Sequence, residues 1–151
     1  MKKTQIEVRA NSSSPLYAPE IYKKLSACEK KAIVNGCGAG GWKIDLVPNT
    51  LYGLDVTSAC NIHDYMYYAG MTNEDKNEAD RVFLNNMIRL IDAGVRADSN
   101  SPLLMRRLKK TLRIFRRRRA YAYYFAVKKF GGPAFWQDKN NPKNLVLNEK
   151  E

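Results

Sequence analysis

The chain has 151 residues, 44% of them hydrophobic, and a formal net charge of +11. That length and apolar content suit one globular domain and exclude a disordered chain, and no apolar run approaches the roughly 18 residues that cross a bilayer. The excess charge lies in one segment: Leu103 to Phe130 carries 11 Lys/Arg and no Asp or Glu, and the other 15 basic residues balance the 15 acidic ones. Such a block attracts polyanions, either nucleic acid or an anionic lipid surface.

Residues 1–14 are polar and read as a flexible N-terminal segment. The basic start, Met1 to Arg9, is followed by no apolar stretch, so no secretion signal is expected. A single domain is expected over 15–136 and a loose polar tail over 137–151. From Pro19 to Ile33 the apolar positions Ile21, Leu25, Cys28, Ala32 and Ile33 recur at helical spacing and predict one short amphipathic helix. Gly36 to Gly41, with four glycines in six residues, must be a loop. Trp42 to Leu54, with Pro48, Asn49 and Gly53, reads as an irregular connection.

Asp55 has the position of an N-cap for a helix through Ala69, stopped by Gly70. Thr72 and Asp75 have the spacing of a capping box for the next helix, to about Asp92, with Asp in place of the usual Glu or Gln. There Phe83, Leu84, Met87, Ile88 and Ile91 form one apolar stripe, and Asp80 projects from the same face. After a polar loop, Leu103 to Phe130 is a long helix or a broken pair, ended by Gly131-Gly132-Pro133. The fold class expected is all-α.

The sequence holds one histidine, His63, so imidazole chemistry has one possible seat. On a helix, Cys60, His63 and Tyr67 share a face while Asp64 is turned about 100° away. One segment thus offers a base and, beside it, a hard oxygen ligand. Calcium takes six to eight oxygens, many of them backbone carbonyls, and a glycine-rich loop can curl so that Gly36, Gly38 and Gly40 turn theirs inward. Three cysteines, Cys28, Cys37 and Cys60, leave one over if two pair.

Gly36-Cys37-Gly38-Ala39-Gly40-Gly41 and Cys60-Asn61-Ile62-His63-Asp64-Tyr65-Met66-Tyr67 resemble, in order, the calcium loop x-C-G-x-G-G and the helix motif C-x-x-H-D-x-x-Y of the secreted phospholipase A2 superfamily. The resemblance covers Gly36 to Ile91, with Leu103 to Trp136 matched only as further helix. Ala59 and Met66 stand where disulfide-rich members carry cysteines, which points to the small, disulfide-poor microbial and fungal members.

The resemblance implies two core helices bearing the His-Asp site, a preceding calcium loop and a basic C-terminal helical segment. It implies calcium held by the carbonyls of Gly36, Gly38 and Gly40 and the carboxylate of Asp64. His63 would activate water against a phospholipid ester, the Gly38 amide would help stabilise the oxyanion, and Asp80 with Tyr67 would fix the histidine tautomer. It also implies a Cys37–Cys60 disulfide, closing a loop worth about 3 to 3.5 kcal/mol, with Cys28 unpaired. A member of this family would be secreted or delivered outside the producing cell, with the Leu103 to Phe130 segment on an anionic membrane surface. Two other readings compete: a non-catalytic basic helical protein that binds nucleic acid or anionic membranes, and a phospholipase-like module that has lost activity. The first does not account for Gly38, Gly40, His63 and Asp64 occurring together, and the intact His63-Asp64 pair argues against the second.

Overall fold

The computed structural model describes residues 5–9, 15–33, 49–96 and 102–137. Among them the protein is mostly helical, with two short antiparallel ribbons. In chain order the elements are β1 (Gln5–Arg9), β2 (Pro15–Pro19), α1 (Glu20–Lys24), α2 (Ala27–Ile33), β3 (Thr50–Leu51), β4 (Leu54–Asp55), α3 (Thr57–Ala69), α4 (Asn73–Arg96), α5 (Leu103–Phe130) and α6 (Gly132–Trp136). The all-α expectation holds at this level.

The N-terminal expectation does not. Within 1–14, Gln5–Arg9 is a strand paired antiparallel with β2, Ile6 opposite Ala18 and Val8 opposite Leu16. Alternation over two apolar residues is too short to stand out alone, and the pairing depends on β2, whose Leu16 and Ala18 are buried. Asn86 of α4 anchors that ribbon: its side chain accepts from Tyr17 N–H at 2.8 Å and donates to Tyr17 C=O at 2.8 Å.

The single helix expected from Pro19 to Ile33 is two helices, α1 and α2. Ser26 explains the break. Its hydroxyl accepts from Glu29 N–H at 3.3 Å, while the Glu29 carboxylate accepts from Ser26 N–H at 2.8 Å, a reciprocal capping box that starts a new helix. Part of the irregular connection is also ordered, as the β3–β4 hairpin; its central residues Tyr52 and Gly53 have φ of 46° and 75°, the signs that a type I′ turn needs.

Helix α3 starts at Thr57 rather than at Asp55, although Asp55 Oδ1 still accepts from Thr57 N–H at 2.8 Å. Its end at Gly70 is as expected. The Thr72–Asp75 box forms, with Asp75 N–H on Thr72 Oγ1 at 3.1 Å and Thr72 N–H on Asp75 Oδ2 at 3.2 Å. Helix α4 runs past Asp92 to Arg96, and α5 is one unbroken helix of 28 residues.

Helices α3 and α4 pack on each other, and α5 lies along α4. The core is built from Ile62 and Met66 of α3, Val82, Phe83, Met87 and Ile91 of α4, Ala120 and Tyr123 of α5, Phe135 of α6, and Leu16 and Leu51 from the ribbons. The cations of α5 do not form one surface: Arg113 and Arg117 turn toward α4 and bind Asp92 at 2.9 and 2.7 Å. Arg116 donates to the carbonyls of Leu51 and Tyr52 at 3.0 and 2.8 Å. The opposite face carries Leu104, 77% exposed, with Leu108, Ile114, Phe115 and Phe125 also exposed. Arginine can satisfy helix and hairpin oxygens at the edge of the core, which releases the aliphatic positions to solvent.

Candidate active site

Along α3, Cys60, His63 and Tyr67 fall on the buried face and Asp64 on its half-buried flank, as the helical spacing requires. Along α4, Asp80 is 1% exposed and faces them. His63 Nε2 lies 3.0 Å from Asp80 Oδ1, and the Tyr67 hydroxyl donates to the same oxygen at 2.6 Å. The imidazole is packed between Tyr67 and Phe83, with ring centroids 4.1 and 4.7 Å away. Phe135 of α6 closes the far side of Tyr67 edge-on at 5.2 Å. Three residues expected to act together, His63, Asp80 and Tyr67, are thus brought together by α3 and α4.

A fourth member was not anticipated. Lys76 is 8% exposed, and its Nζ donates to Asp80 Oδ2 at 2.8 Å. The spacing held the signal: continuing the Phe83, Met87, Ile91 stripe backward passes through Asp80 and then, four residues earlier, through Lys76. A lysine on a buried stripe has to meet an anion.

Burial raises the Asp80 carboxyl's pKa, but hydrogen bonds from His63, Lys76 and Tyr67 outweigh it and hold the group below the usual carboxylate range. Asp80 is therefore an anion that only accepts, so Nε2 carries the ring proton and Nδ1 is left as the acceptor. Burial lowers the pKa of His63 itself; Asp80 works against that shift and Lys76 adds to it. At neutral pH the imidazole is an uncharged base in a fixed tautomer. The Tyr67 hydroxyl, raised by burial and by Asp80, stays protonated as the donor.

No protein-family model, curated protein or solved structure matches this chain.

Gly36, Gly38, Gly40 and Cys37 lie outside the described residues. Asp64 is half-buried, and its charge helps burial keep the hydroxyls of Tyr22 and Tyr67 protonated. Among the described residues no three His, Cys, Asp or Glu side chains gather into a metal cluster. Cys60 is disulfide-bonded and Cys28 is free and exposed.

Proposed function

We propose that the protein is a calcium-dependent phospholipase A2 with a phospholipase A2-like fold, hydrolysing the sn-2 ester of glycerophospholipids at a membrane surface. The observation that carries this reading is the buried His63–Asp80–Tyr67 constellation, which leaves Nδ1 of the chain's one histidine as a base of fixed tautomer.

In the reaction His63 Nδ1 takes a proton from a water as its oxygen attacks the ester carbonyl. The imidazolium that forms is stabilised by the Asp80 anion at 3.0 Å, and Tyr67 keeps that carboxylate in place. His63 then returns the proton to the leaving glycerol oxygen as the ester C–O bond breaks, so no acyl-enzyme is formed. Asp64 and the carbonyls of Gly36, Gly38 and Gly40 would hold calcium, which supplies positive charge near the oxyanion. The Gly38 amide would donate to that oxygen. A disulfide from Cys60 to Cys37 would tie this loop to α3.

The outer face of α5 provides the membrane contact. It combines Leu104, Leu108, Ile114, Phe115 and Phe125 with the exposed cations Arg107, Lys110, Arg118 and Lys129. Mixed aliphatic and cationic surface suits an anionic bilayer boundary better than a nucleic-acid backbone, which recruits cations without exposed leucines. The activity reads as extracellular or delivered to a target membrane.

The test is fatty-acid release from dispersed short-chain phosphatidylcholine by purified protein. Release with calcium and none with chelator is expected; no release under either condition removes the proposal.

A further inference from the structure

Lys76 does more than neutralise Asp80. Its Nζ also donates to the carbonyls of Val127 and Lys128 at 3.3 and 3.4 Å, in the last turn of α5. Both oxygens belong to the last turn, where helix carbonyls face the C-terminal end, and an ammonium there meets the negative end of the helix dipole. The same turn reaches the site a second way. Gly131 N–H donates to Val127 C=O at 2.7 Å, and a methyl group at Gly131 would clash with the Tyr67 hydroxyl and that carbonyl oxygen. The end of α5 therefore touches two of the three partners of Asp80, Lys76 and Tyr67.

We propose that Lys76 is a positioning residue for His63: acting through Asp80, it fixes the imidazole tautomer and fastens the histidine–aspartate pair to the last turn of α5. Each Asp80 oxygen has its own role. Oδ1 accepts from His63 and Tyr67, and Oδ2 accepts from Lys76. Without the ammonium, a buried carboxylate with two uncharged partners has to take up a proton or rotate toward water. In either case Oδ1 no longer presents a fixed acceptor to Nε2, and the ring proton divides between its two nitrogens. A lysine that merely capped α5 would leave the ring proton unaffected.

The kinetic part of this inference rests on the phospholipase reading; the spectroscopic part does not. With one histidine in the chain, nitrogen-15 labelling of histidine gives one imidazole to observe. At pH 8 the calcium-loaded wild type should show the Nε2–H tautomer alone. Lys76→Met should show a mixture, and its kcat on dispersed short-chain lipid should fall at least about tenfold with KM changed less than about twofold. A folded Lys76→Met variant that keeps the pure tautomer and wild-type kcat overturns the proposal. Should that variant not fold, coupling across the hydrogen bond between Lys76 Nζ and the Asp80 carboxyl carbon in the wild type decides: its presence supports the assignment and its absence refutes it. If the wild type hydrolyses no lipid, the tautomer comparison still tests Lys76 while the phospholipase reading fails by itself.

Discussion

Replacing Asp80 by Asn keeps the size and removes the charge. Asp80 Oδ1 serves His63 and Tyr67 and Oδ2 serves Lys76, so an amide cannot satisfy all three donors. Placing its oxygen toward His63 turns an NH2 group against the Lys76 ammonium, whose side chain is 9% exposed, so the charge cannot recover its water shell. Breaking a buried pair in this way costs about 3 to 5 kcal/mol. At about 2 to 4 °C per kcal/mol for a chain of this size, the melting temperature should fall by about 6 to 20 °C. Denaturant titration and thermal melting measure the loss directly.

Removing the lysine as well should recover part of it. The Asp80→Asn/Lys76→Met double variant should be less destabilised than the sum of the singles, by a coupling of about 1 to 3 kcal/mol. Acid provides a second check. The folded Asp80 carboxyl lies below its usual range, so its contribution is present above the unfolded value near about pH 4 and is lost as pH falls through the folded one. Wild type should therefore lose stability on acidification more steeply than Asp80→Asn. A single variant within about 1 kcal/mol of wild type, additive with Lys76→Met, would refute the buried network.

Asp64→Asn should abolish calcium binding by calorimetry at neutral pH while leaving the helical circular dichroism intact; unchanged affinity would move the cation elsewhere. Replacing Arg107, Lys110, Arg118 and Lys129 with Gln should weaken adsorption to anionic vesicles in a salt-dependent way and spare hydrolysis of dispersed lipid. Arg116→Gln and Arg117→Gln should instead lower stability, because these side chains bind the hairpin carbonyls and Asp92; equal loss of adsorption from both sets would contradict the assignment of faces. Peptide mapping without reduction should find Cys37 joined to Cys60 and alkylation at Cys28 only, and labelling of all three in active protein would exclude the disulfide.

What the sequence revealed of the site was periodic. Cys60, His63 and Tyr67 share a face because their spacing is three and four, and Asp80 could be placed opposite because Phe83 and Leu84 mark the inner side of α4. Lys76 obeys the same period, but lysine is so commonly a solvated residue that the stripe stopped short of it. Local rules failed where the deciding partner is distant or cooperative. The β1 strand depends on β2, and the break between α1 and α2 needs Ser26 and Glu29 together. On α5 the eleven cations read as one surface, since nothing in that segment says that Arg113 and Arg117 meet Asp92 or that Arg116 meets Leu51 and Tyr52. Charge density was legible there; its direction required the packing.

The most direct measurement is product analysis on a phospholipid with different acyl chains at its two positions. Calcium-loaded wild type should release the sn-2 chain as free acid, leaving the 1-acyl lysophospholipid. His63→Ala, folded and still adsorbing to vesicles, should be slower by at least about a hundredfold. Release of the sn-1 chain, or wild-type rates in His63→Ala, would contradict the assignment of His63 as the base of a phospholipase A2.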